Sequence, residues 1–176
     1  LHGPLPPGKT VFYQKHMAHH LLPEVGREWL AGLSHAFLIR EPRAMLASLL
    51  HVLPEPTLAD TGLPQQVELF QELETSHGRA PPVLDANDLL ADPEGSLRRL
   101  CHELELDFDP AMLAWEPGLR ATDGCWAPHW YANAMQSTGF TPFPKKDSRL
   151  PARQEPLCRE CDALYALLHR HRLRPG

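Results

Sequence analysis

No window of this 176-residue sequence approaches 18 uninterrupted apolar residues, so no membrane-spanning helix is expected. A secretory signal pattern is missing from the given start too, and the two absences together set the expectation of a cytoplasmic protein. Positive charge is short: 17 Lys and Arg stand against 22 Asp and Glu, a formal charge of −5. A general nucleic-acid binder would show a basic face, so no nucleic-acid partner is expected. Cys101, Cys125, Cys158 and Cys161 are too few to build a disulfide framework in a chain this long.

Metal ligation lacks its partners as well. Cys158-Arg159-Glu160-Cys161 has no second CxxC, and His169 and His171 follow at no standard zinc spacing. Leu157, Cys161, Leu164 and Leu168 recur at helical intervals, which places Cys161 in a core. His16, His19 and His20 crowd together, yet no acidic or histidine cluster elsewhere completes a site. No metal is expected. Gly3 to Thr10 fits the nucleotide-loop pattern G-x-x-x-x-G-K-[ST] without its physics: Pro4, Pro6 and Pro7 have no N–H to offer a phosphate, and Val11-Phe12-Tyr13 favours a strand over the helix a phosphate loop needs. A stiff linker into a strand is the expectation there. A kinase-like use of the segment is set aside.

What is present suffices for one packed unit. Hydrophobic residues make up 43% of the chain, and residues 1–176 are read as a single domain. Nineteen prolines, about twice the usual share of roughly 5%, predict stiff connections. The pattern predicts strands at 10–15, 35–40 and 82–85. Helices are predicted near 20–31, at 42–52, 64–77 and 93–104, from Pro110 to Trp115, and at 154–172, with a Pro-rich loop at 53–64. Alternation of this kind predicts an α/β fold, three layers deep, with a mostly parallel sheet and helices on both faces. Asp92 before Pro93 and Asp109 before Pro110 read as helix N-caps with proline at the first helical position.

The stretch from Ser34 to Ser48 carries the most chemistry. Ala36 to Ile39 is a short buried-strand run that ends on Arg40, and Pro42 suits the first turn of the helix after it. Arg40 then stands at the carboxyl end of a strand, where open α/β sheets bind ligands. The helix start would offer free N–H groups, with Arg40 and Arg43 beside it, and a phosphate or sulfate fits that charge. The alternative is a solvated arginine and a merely small Ser48.

Strand, Arg40, x, Pro42, Arg43, then Ser48 eight residues after Arg40 resembles the 3′-phosphate-binding segment of the sulfotransferases that use 3′-phosphoadenosine 5′-phosphosulfate (PAPS). The passage Val83 to Pro93, the helix after it and Asp107-Phe108-Asp109-Pro110 are similar to a second segment of the bacterial members. Phe12-Tyr13-Gln14-Lys15-His16-Met17 with Leu21-Leu22-Pro23 resembles the segment that carries their catalytic base. The resemblance runs from about residue 8 to about residue 172.

It implies a nucleotide-loop-type α/β fold, PAPS as co-substrate and PAP as product. Arg40 and Ser48 would hold the 3′-phosphate with Arg43 as a basic neighbour, His16 would act as general base and Lys15 would stabilise charge. In that family the 5′-phosphosulfate sits on an N-terminal strand-loop-helix. The chain begins at Leu1, just before the strand that would follow that unit, so it is expected to be the later portion of a longer protein and inactive alone.

The segment Arg120 to Tyr131 gathers Trp126, Trp130, Tyr131 and His129 among Gly and Pro. It suits a binding loop, since aromatic rings offer stacking surfaces. It also suits a plug of tryptophans at the end of a core. It loosely resembles the late loop that closes over the nucleotide, which would give Arg120, Gly124 and Trp126 a cofactor role. Acceptor-shaping residues are expected in 53–64 and 120–145, for a small molecule or a glycan, and the sequence does not indicate an oligomeric state. A non-catalytic module of the same fold that binds a nucleotide or a partner is the alternative.

Overall fold

The computed structural model describes residues 3–22, 24–120, 123–125, 134–142 and 149–174. Two compact units are present, one of residues 1–86 and 147–173, the other of 87–146 and 174–176.

The first unit is built on two parallel strands, β1 (Phe37–Ile39) and β2 (Val83–Asp85), with Phe37 opposite Val83 and Ile39 opposite Asp85. Beyond β2, Arg172 bridges Val83 in parallel and the Leu173 N–H donates to the Val83 carbonyl at 2.8 Å. Helix α1 (Pro42–Leu49) follows β1 with Pro42 in its first turn, and α2 (Leu63–His77) precedes β2. Ile39 and Val83 pack against Val67 and Phe70 of α2 and against Leu168 of the C-terminal helix Glu155–His169. A second cluster joins Leu46 of α1 and Leu63 of α2 to Cys158 and Cys161, so the CxxC cysteines are core residues. Leu38, whose side chain alternates to the opposite face, is 55% exposed.

Helix α3 (Ala86–Ala91) crosses from the first unit into the second and leads into α4 (Pro93–Glu103), and helix Glu155–His169 of the first unit is α5. Asp92 accepts the Gly95 N–H, and Asp109 accepts the Ala111 N–H to start the 3-10 turn Pro110–Leu113. Cys101 packs on Met112, and the Arg98 guanidinium lies 4.1 Å from the Phe108 ring centre. Among the described residues no helix is long and apolar enough to cross a membrane.

Several expectations need correction. Residues 10–15 are not a strand: Val11, Phe12 and Tyr13 have β-favouring side chains, but a strand is stable only beside another, and these three are 52–80% exposed. The helix expected near 20–31 is replaced by the 3-10 turns Ala18–His20 and Glu28–Gly32, with Gly26 between them and no side-chain cap on either. Pro110–Leu113 is a 3-10 turn that stops short of Trp115. The last helix begins at Glu155, after a 3-10 turn at Ala152–Gln154, and ends at His169, where the chain turns to reach Val83.

Candidate functional site

Arg40 leaves β1 at its carboxyl end, half-buried, and α1 starts two residues later. Burial lowers the pKa of its guanidinium, and the charge of neighbouring Glu41 opposes the shift. Glu41 itself occupies the helix start. Its carboxylate accepts the N–H groups of Arg43 at 3.1 Å and Ala44 at 2.8 Å, while the Met45 N–H donates to the Glu41 carbonyl. Pro42 has no N–H, so the first turn of α1 offers no free donor to an outside anion. This corrects the expectation of open N–H groups beside Arg40. Glutamate is not among the preferred N-cap residues, and for that reason the sequence did not announce it.

Arg43 is engaged sideways. Its guanidinium donates twice to Glu155, at 2.9 and 2.8 Å, joining the start of α1 to the start of α5. The pairing raises the pKa of Arg43 and lowers that of Glu155. Ser48 is exposed on α1. It stands seven residues from Glu41, on the same helix face and about 10 Å further along the axis.

A buried acid and its half-buried partner, a pair that the sequence reading did not single out, meet at the end of β2. Asp85 is 2% exposed, and the Tyr165 hydroxyl of α5 donates to its Oδ2 at 2.6 Å. Burial pushes the Tyr165 pKa up, and the bond to Asp85 pushes it further, with Glu41 adding and Arg172 opposing. Tyr165 stacks on His169, and an Arg172 guanidinium nitrogen lies 3.4 Å from the His169 carbonyl. A signal did exist: an acid closes an apolar strand, and Tyr165 falls between Cys161 and Leu168 on the buried stripe of the helix.

Lys15 and His16 are exposed on a segment without regular structure. His16 Nε2 is 3.2 Å from Gln14 Oε1, and its ring centre is 5.8 Å from that of Trp29. His19 is more enclosed, its ring meeting Gly62, where an added Cβ would lie 3.3 Å from Nδ1. Burial lowers the His19 pKa, His20 lowers it further from 4.4 Å between ring centres, and Asp60 opposes both. The Gly3–Thr10 stretch is exposed, turns at Gly8 with φ +76° and is not followed by a helix.

In the second unit the Arg120 N–H donates to Asp123 Oδ2 at 2.8 Å, and the Asp123 N–H donates back to the Arg120 carbonyl. Arg120 lines a cavity of about 190 Å³ with Trp115, Glu116, Asp123 and Met135. Gly124 follows Asp123, half-exposed, and Trp126 lies outside the described residues. Among the described residues no group of three or more His, Cys, Asp or Glu is placed to hold a metal ion.

A family model described as a sulfotransferase domain matches residues 5–165. Two Arabidopsis thaliana proteins are similar to the chain. Branched-chain-amino-acid aminotransferase-like protein 2 is 35% identical over 166 residues, 94% of this chain, and its namesake protein 1 is 36% identical over 163 residues, 93% of this chain. The chain spans 29% of the length of each of these relatives. No solved structure matches it significantly. With the family match running from before Arg40 to Tyr165, and so taking in the strand end, its capped helix and the Asp85–Tyr165 pair, the chain belongs to the sulfotransferase domain family.

Proposed function

We propose that the chain is the nucleotide-holding part of a PAPS-dependent sulfotransferase, a domain of nucleotide-loop-type α/β architecture. The observation that carries this reading is Arg40: a guanidinium drawn partly out of water at the carboxyl end of a parallel strand. A charge in that position is stabilised by an anion, and a terminal phosphate matches the guanidinium fork in geometry as well as sign. Ser48 supplies a hydroxyl donor on the adjoining helix face. The capped start of α1 contributes no N–H, so the phosphate rests on side chains. Arg43 joins only if it leaves Glu155.

Bound PAPS supplies the sulfuryl group for transfer to an acceptor hydroxyl or amine. This chain's part is to orient the nucleotide through Arg40 and Ser48, to take the acceptor proton on His16, and to offset developing charge with Lys15. The aminotransferase-like names of the plant relatives describe proteins of which this chain matches only 29%, and that chemistry is not carried over.

A thermal-shift titration with PAP tests the reading. At 100 times its dissociation constant PAP stabilises by about 2.7 kcal/mol, in the wild type and not in Arg40→Ala. An equal shift in both proteins, or none in either, rejects the Arg40 phosphate site. The exposed, strand-free setting of Lys15 and His16 favours one second reading, a nucleotide-binding module without catalysis. PAP binding by a full-length protein that transfers no sulfuryl group would select it.

A further inference from the structure

A histidine acts as a base through one ring nitrogen, and the bond made by the other nitrogen decides which one. On His16 that deciding bond is present: Nε2 lies 3.2 Å from Gln14 Oε1. An amide oxygen only accepts, so Nε2 carries the ring proton and the lone pair is left on Nδ1. Gln14 is half-buried, whereas His16 is exposed, where a substrate can reach it.

The ring is braced a second time. Its centre is 5.8 Å from that of Trp29, with the two planes 50° apart. Trp29 is itself held: its indole N–H donates to the Gly26 carbonyl at 2.9 Å, and the 3-10 turn Glu28–Gly32 that carries it buries Leu30. Arg27, just before that turn, donates to Glu68 at 2.8 Å and to Glu72 at 2.6 Å, both on α2. A run of fixed contacts therefore leads from α2 to the imidazole. A cation within about 6 Å of an indole centre is attracted to it, so Trp29 favours His16 once the ring has taken a proton.

We propose that Gln14 is a positioning residue for sulfuryl transfer, holding His16 as the Nε2–H tautomer so that Nδ1 takes the acceptor proton, with Trp29 steadying the imidazolium that results. This rests on the reading of His16 as the base. In that step the acceptor O–H or N–H bond breaks and its proton goes to Nδ1. The electron pair left on the acceptor forms the new bond to sulfur as the bond from sulfur to the PAP phosphate oxygen breaks.

The test begins with ring-nitrogen NMR of the whole chain, with His16→Gln to identify the signals. While the ring is neutral the wild type should carry its proton on Nε2. The ratio of that form to the Nδ1–H form should fall about two- to tenfold in Gln14→Ala, the worth of one hydrogen bond. Gln14→Glu keeps the acceptor, so the tautomer should stay while the added charge keeps the ring protonated to higher pH. A His16 protonated on Nδ1, or spectra that neither variant alters, would overturn the proposal.

In the transfer assay Gln14→Ala should lower kcat by a similar factor with PAP affinity unchanged, and Gln14→Glu should move the acid limb of the pH–rate profile to higher pH. Full rates on an unmoved profile would also overturn it. Failure of the underlying reading looks different: a wild type that neither binds PAP nor transfers a sulfuryl group refutes the function, while the NMR spectra still decide the tautomer.

Discussion

Tyr165 donates its phenolic proton to Asp85 at 2.6 Å, and through this bond α5 grips the carboxyl end of β2. Asp85 is buried, so removing the donor leaves a carboxylate without one of its ligands. Tyr165→Phe preserves the ring and should lower stability by about 1.5–3 kcal/mol, the range for a hydrogen bond to a charged group. Urea unfolding at neutral pH measures it; an unchanged midpoint would show that water replaces the hydroxyl.

The same phenol makes stability sensitive to alkali. Its folded pKa lies above the ordinary value of 10.0, chiefly through burial. The folded state therefore holds the proton longer than the unfolded chain, and stability falls as pH rises beyond 10. Melting curves across this range should drop more steeply for the wild type than for Tyr165→Phe. Parallel curves would assign the alkaline loss to other groups.

Glu41→Ala should act in two opposite directions. Loss of the cap costs about 0.5–2 kcal/mol of stability. Release of the Arg43 and Ala44 N–H groups gives the helix start back to an anion beside Arg40. The variant should melt earlier yet bind PAP more tightly, read by calorimetry; weaker binding would mean that Glu41 orients Arg40.

The Arg43–Glu155 bridge should fade in acid. Arg43 holds the Glu155 carboxyl below its ordinary 4.5, so the bridge contributes above that pH and its contribution is lost as pH falls through the depressed value. The difference in melting temperature between wild type and Glu155→Gln should narrow in acid, below the ordinary 4.5. A gap that persists at pH 2 would point to packing.

His16→Ala in the full-length protein should reduce sulfuryl transfer by roughly 100- to 10,000-fold with PAP affinity unchanged. Full activity in that variant would remove His16 from the mechanism, and His19, which packs on Gly62, would be the next histidine to replace.

The legible parts of the sequence were those where a local rule and the tertiary environment agree. Asp92-Pro93 and Asp109-Pro110 start their helices as read, because a short acid before proline both caps and preorganises the first turn. The run into Arg40 and the Cys161 stripe of α5 also held, since burial enforces periodicity. Val11 to Tyr13 failed because β propensity is a property of a paired strand, and here no neighbour pairs with it among the described residues. The strand-end position of Arg40 could be read from the apolar run before it. Glu41 and the Asp85–Tyr165 pair could not be assigned partners, because their contacts depend on how α1 and α5 approach and not on spacing along the chain.

The short return of the chain after His169 shields β2. By laying Arg172 and Leu173 alongside Val83, it closes one margin of a strand whose three residues are all buried. A proteolytic cut or an engineered stop just past α5 would unzip that margin and present bare amide and carbonyl groups to other molecules, an invitation to self-association. Solubility, before activity, is where damage to residues 170–173 would first be felt.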